Sequence, residues 1–143
     1  VHQLEQAIRE IFGQGPRGRR MALTFLSFGY THGIPPEADL VMDVRFLPNP
    51  YFVEELKDLP GFDPRIHDFL LGFEETRDFL SRFQNLLSFL FPLYEREGKA
   101  YLTVAIGCTG GQHRSVAVAE KMKSLIQDQI PVRIRHRDLK HPA

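Results

Sequence analysis

The densest group of reactive and anion-holding residues is Gly107–Ser115, GCTGGQHRS, which follows the apolar run YLTVAI and precedes VAVAEKMKSLI. It holds the only cysteine of the chain, three glycines, a histidine and an arginine. Gly110 and Gly111 can take positive φ at no steric cost, so successive backbone N–H groups can face inward while the next helix adds its positive end. An anion nest is the expected result. Arg114 offers a planar fork to a phosphate or carboxylate, and Thr109 and Ser115 offer short hydroxyl donors. His113 can serve as a neutral donor or, at lower pH, as a cation.

The same residues spell Cys-x5-Arg followed by Ser, the core pattern of cysteine-dependent phosphatases, in which a thiolate attacks phosphorus while loop amides and the arginine hold the oxygens. Cys108, at the start of a helix and near Arg114, stands where such a nucleophile would. Gly107 occupies the place where those enzymes usually carry histidine, and the general acid can be sought only at Asp39 or Asp43. The alternative is that Cys108 is a small apolar residue closing a buried strand. Both readings stand on the residues alone.

Other candidates lie at the ends of neighbouring segments. His32, in SFGYTHG, is expected to converge on the glycine loop and to make a polar contact with a bound ligand. His32, His113 and Cys108 have no recognised metal spacing, so no metal site and no cofactor are expected. Asp43 and Arg45 lie two apart on a strand, so both point to one face, where they can pair with each other or contact a ligand. Arg133, Arg135 and Arg137 alternate along the last strand-like segment at intervals of roughly 6 to 7 Å, and with Lys140 they could follow a phosphate backbone or simply keep a sheet edge soluble. Arg17, Arg19 and Arg20 form a second basic cluster. His136–Lys140, HRDLK, copies the start of a kinase catalytic loop, but the asparagine, glycine-rich loop and Asp-Phe-Gly that must accompany it are missing. Nor is there a Gly-x4-Gly-Lys-Ser/Thr loop.

These residues need a scaffold, and 143 residues suit a single domain spanning 1–143. Eighteen basic and eighteen acidic residues give zero formal charge, which removes any global argument for nucleic-acid binding. No apolar run approaches the roughly 20 residues of a membrane span, and no basic-apolar signal sequence opens the chain. A single cysteine suits a reducing compartment, and the cytoplasm is expected. The opening, VHQLEQAIREIFGQG, has Leu4, Ala7, Ile8 and Ile11 at helical spacing and reads as a cut through a longer chain.

MALTFLSFGY, LVMDVRFL, YLTVAIG and VRIRHRDL read as four strands. Asn49 and Pro50 offer a cap and first turn after the second. From Phe73 to Tyr94 a long apolar face (Thr76, Phe79, Leu80, Phe83, Leu86, Leu87, Leu90, Phe91) predicts a helix that Pro92 kinks or ends early, and Val116, Ala119, Met122 and Ile126 carry the helix behind the glycine loop. The expected fold is α/β: a small, mostly parallel sheet of about four strands with helices on both faces. Ligands would sit beyond the carboxyl ends of the strands.

SFGYTHGIPPEADLVMDVRFLPNP and YLTVAIGCTGGQHRSVAVAE, together with RHRDL, resemble the C-terminal domain of the bacterial RapZ/YvcJ family, from about Leu23 to Leu139. The resemblance implies an N-terminal P-loop domain that binds and hydrolyses ATP or GTP in the full-length protein and is missing from this chain. It implies a non-catalytic regulatory domain that senses glucosamine-6-phosphate, binds a small RNA as adaptor for a ribonuclease in amino-sugar control, and forms homo-oligomers. It places the sugar-phosphate site on His32, Thr109, Gly110, His113 and Arg114, with Cys108 lining the site rather than attacking. The chain departs from the enterobacterial branch in having Gln112 beside the loop histidine and in ending LKHPA rather than in a strongly basic tail.

Overall fold

The computed structural model describes residues 21–140. The N-terminal helical pattern and the Arg17, Arg19, Arg20 cluster lie outside them. Four strands, β1 (Ala22–Gly29), β2 (Leu40–Asp43), β3 (Tyr101–Cys108) and β4 (Val132–His136), form one sheet in the order β2-β3-β1-β4, with every neighbour parallel. Three α-helices accompany it: α1 (Pro64–Leu71), α2 (Glu74–Arg96) and α3 (Arg114–Ile126). This is the α/β architecture the strand and helix patterns predict.

Parallel register fixes which side chains share a face. Leu23 lies beside Leu102 and Val132, and Phe25 beside Val104 and Ile134. These residues join Ile66 and Leu70 of α1, Leu80, Phe83, Leu87 and Phe91 of α2, and Met122 and Ile126 of α3 in one apolar core. Burial of such side chains at roughly 25 cal/mol per Å² is the main force holding sheet to helices. The expectation of helices on both faces is met on one face only among the described residues. The opposite face buries Leu26, Phe28 and Ala105, and the β1-to-β2 connection ends at Asp39, whose amide donates to the Thr103 carbonyl of β3 and whose carboxylate accepts from the Thr103 amide.

Local signals set the helix ends. Asp63 caps α1 by accepting from the Arg65 amide at 2.9 Å, with Pro64 in the first turn, a local start signal. The predicted long helix exists, but Pro92 does not end it: α2 continues to Arg96. Its buried stripe is Thr76, Leu80, Phe83, Leu87 and Phe91. Leu86, expected on that stripe, is 47% exposed, because its position rotates it away from the sheet.

Candidate functional site

β1 and β3 end in register at Gly29 and Cys108, and β2 brings Asp43 beside Gly107, so three strand ends form one edge. The glycine loop leaves β3 at Cys108 and enters α3 at Arg114. Its course is fixed by close backbone approach. A Cβ on Gly29 would fall 2.4 Å from the Gly110 carbonyl carbon, and Gly111, at φ +77°, lies where a Cβ would meet the Gly29 nitrogen at 2.8 Å. Only glycine satisfies both positions. Gly61 closes the other side, its amide donating to the Gln112 carbonyl at 2.8 Å.

Gln112 acts as a clasp. Its side-chain amide donates to the carbonyls of Gly110 (3.0 Å) and Asp138 (2.8 Å), and its side-chain oxygen accepts from the Lys140 amide. Asp138 accepts from the Gly29 amide at 2.8 Å and from Arg137. Neither residue stands among the expected ligand contacts, since nothing in RHRDL or the loop spacing says that the two segments touch.

Among the described residues, the amides of Thr109, Gly110, Gly111, Gln112 and His113 have no protein acceptor. Of these residues Gly111 and His113 are buried, Gly110 and Gln112 half-buried and Thr109 exposed, and a run of donors free of protein acceptors ahead of a helix N-terminus is chemistry suited to an anion. Arg114 stands beside them, 5% exposed. One terminal nitrogen of its guanidinium donates to the carbonyls of Arg45 (2.7 Å) and Leu47 (3.1 Å), and the other reaches the Thr109 hydroxyl at 3.4 Å. Burial pushes its pKa down, while Cys108 and Asp43 act the other way. It remains a cation, and the two carbonyls aim its fork.

His113 is almost fully buried, and its pKa lies below the ordinary value because burial penalises the charged ring, with hydrogen bonds to the backbone of Leu59 and Lys57 opposing. It enters the site as a neutral imidazole at neutral pH. Cys108 is 3% exposed, and its thiol donates to the Ser115 hydroxyl at 3.1 Å. Gly107 has a steric reason to lack the histidine of the phosphatase pattern: a Cβ there would meet the Phe28 ring at 2.4 Å and the Tyr30 ring at 2.6 Å.

Loop and helix start line a cleft of about 740 Å³ together with Asn49, Tyr51, Phe52 and the segment Lys57–Pro60. Thr109, Gly110, His113, Arg114, Cys108 and Lys140 all line it. His32 does not; it is exposed, on the turn after β1, near enough to Asp138 to help keep that carboxyl ionised. The wall 49–60 carries no motif, and only the Asn49 cap was legible: its side chain accepts from the Tyr51 amide at 3.1 Å.

Asp43 and Arg45 do pair, at 2.7 Å, and the Arg45 hydrogen bond holds the Asp43 carboxyl below the ordinary carboxylate range. The Arg45 guanidinium lies 3.9 Å from the centre of the Tyr30 ring. Asp39 pairs with Lys99 at 2.9 Å. Of the basic stripe, Arg133 and Arg135 are exposed, Arg135 lying 3.6 Å from Glu37. Arg137 lies past the end of β4 and turns inward, donating to the Gly33 carbonyl at 2.6 Å and to Asp138. No group of three or more potential metal-ligating side chains occurs among the described residues. No described helix is long and apolar enough to cross a membrane.

Fold and loop define a small α/β domain with a glycine-rich turn, lined by backbone donors and a buried arginine, at the carboxyl edge of a parallel sheet. The chain belongs to the RapZ C-terminal domain family, whose pattern it matches over residues 21–140. It is 52% identical over 141 residues to a nucleotide-binding protein of Geotalea uraniireducens, covering 98% of this chain and 49% of the relative. A nucleotide-binding protein of Geotalea daltonii is 50% identical over 140 residues, 97% of this chain and 49% of its own. One from Moorella thermoacetica is 49% identical over 138 residues, 96% of this chain and 46% of its own. The chain spans about half the length of these curated relatives.

Proposed function

We propose that this domain is a non-catalytic sensor for an anionic metabolite, a sugar phosphate of the glucosamine-6-phosphate type, bound with its phosphate in the glycine loop. The observation that carries the reading is the row of unpaired amides from Thr109 to His113 beside the buried Arg114 guanidinium. Those amides would hold phosphate oxygens, Arg114 would supply the positive charge, and Thr109 a hydroxyl. Asp58, an exposed carboxylate in the cleft lining, suits a sugar hydroxyl or ammonium. His32 would act from the rim.

The cysteine-phosphatase reading has Cys108 in the cleft lining in its favour. Against it stand the buried thiol, the absence of room for a histidine at position 107, and the ionic pairing of both general-acid candidates, Asp39 with Lys99 and Asp43 with Arg45. The Asp43 carboxyl, held below the ordinary carboxylate range by the Arg45 hydrogen bond, has no proton to give a leaving group, and Asp39 is bonded to the Thr103 amide outside the cleft lining. The wider role, an oligomeric adaptor that presents a small RNA to a ribonuclease under control of an N-terminal nucleotide-binding domain, belongs to this proposal as well, with Arg133, Arg135 and Lys140 as the available cations. Arg137 is committed internally.

Calorimetric titration with glucosamine-6-phosphate, with glucosamine and inorganic phosphate as controls, tests the sensor reading. Saturable binding that prefers the sugar phosphate and weakens in Arg114→Lys and Thr109→Ala is expected. A folded wild type that binds none of the three overturns it. Cys108→Ser separates the two readings, since a sensor keeps its affinity and an enzyme loses turnover of a generic phosphate ester.

A further inference from the structure

The cleft extends well past the glycine loop, and what lines the extension is aromatic. Phe52 is 82% exposed and Tyr51 60% exposed, and both line the cleft. A phenylalanine left in water forgoes a large apolar burial, so its exposure beside a polar site points to a use outside the core. The ring is not on a slack loop. Pro50 is buried, the Asn49 side chain accepts from the Tyr51 amide, and the Val53 amide closes the turn on the Pro50 carbonyl at 2.9 Å. Tyr51 and Phe52 meet edge to face, with centroids 5.8 Å apart, which leaves ring faces uncovered where a stacked pair would cover one on each.

Size and composition suit a second ring. About 740 Å³ lies in the upper part of the roughly 300 to 1,000 Å³ range of pockets that take drug-sized ligands, more than a hexose phosphate needs. Leu59 and Pro60 add apolar surface, and Asp58 adds a group that can accept from an exocyclic amine or a ribose hydroxyl.

We propose that Phe52, with Tyr51 beside it, is a stacking platform for a nucleobase, so that the cleft takes a nucleoside phosphate with its phosphate in the glycine loop and its base on the aromatic pair. This rests on the anion-site reading above and adds a ligand class that competes with the sugar phosphate for the same donors. Stacking on an aromatic side chain tolerates every base, so the platform selects for the presence of a base rather than its identity.

The test compares AMP with ribose-5-phosphate, which has the same phosphate and sugar without the base, by calorimetry on wild type, Phe52→Ala and Phe52→Tyr, with glucosamine-6-phosphate as a third ligand. AMP is expected to bind about tenfold tighter than ribose-5-phosphate to wild type and to Phe52→Tyr, and to lose that advantage in Phe52→Ala while ribose-5-phosphate is unaffected. AMP should also displace glucosamine-6-phosphate. Affinity for short oligoadenylates that rises with length assigns the base to a single strand, and affinity no greater than for AMP assigns it to a free nucleotide; both keep the platform. Equal affinity for AMP and ribose-5-phosphate, or equal weakening of both in Phe52→Ala, overturns it. If glucosamine-6-phosphate still binds in that case, the anion site stands and only the platform falls; if no phosphate compound binds, both fall.

Discussion

The Gly29 amide, at the end of β1, donates to the Asp138 carboxylate at 2.8 Å across 109 residues of sequence. That bond ties the chain just past β4 to the central strand, and the Asp138 Cβ sits 3.0 Å from where a Cβ on Gly111 would lie, so the glycine loop is held between the two. Burial alone would push the Asp138 pKa up, but the Arg137 and Gly29 hydrogen bonds, with the Arg137 and His32 charges, bring it below the ordinary value. Asp138→Ala is expected to cost about 2 kcal/mol in denaturant unfolding. Because the folded pKa is depressed, the carboxylate's contribution is full above pH 4 or so and fades as pH falls through the folded value. The acid-side loss of stability should therefore be smaller in Asp138→Asn than in wild type.

Gly29→Ala tests the backbone approach. The added methyl has no room beside Gly110 and Gly111, so the loop must shift or the strand end must give, at a cost on the order of 3 kcal/mol. Sugar-phosphate affinity should fall even where the protein stays folded. Gly33→Ala, at φ +89° but in open space, should lower stability through backbone strain and leave affinity unchanged.

His113 predicts a second pH dependence with a different window. Its folded pKa lies below the unfolded value because burial disfavours the imidazolium. The unfolded chain therefore binds the extra proton first, and stability falls as pH drops below about 6.5 toward the folded pKa. Unfolding free energies at pH 7.5 and 5.5 should differ less in His113→Gln than in wild type. His67, also lowered by burial, gives the same sign and serves as an independent site outside the cleft.

Leu87 and Leu86 are neighbours on α2 with opposite surroundings, 0% and 47% exposed. Leu87→Ala should cost about 3 kcal/mol by leaving a cavity against the sheet, and Leu86→Ala well under about 1 kcal/mol. Similar losses at both positions in urea unfolding would mean that α2 is not docked through its Leu80, Phe83, Leu87 stripe.

The sequence by itself determined the element types, the strand-to-helix turn at Cys108–Arg114 and the family. Apolar runs, helical spacing and glycine placement are local quantities, and they carry enough information for those conclusions. It also offered the Asp43–Arg45 pair, alongside ligand contact by the same two residues, and the Asn49 cap, and in both the partners lie two residues apart. Tertiary structure alone decided what happens across long separations: that Arg137 turns in to Asp138 and Gly33 rather than out along β4, and that Gln112 clasps the tail. Leu86 left the core because helix rotation is set by the whole docked stripe, not by one residue's apolarity. The wall Asn49–Pro60 completed the cleft for the same kind of reason, since no residue there shows in its own neighbourhood that the chain will fold it against a loop some fifty residues on.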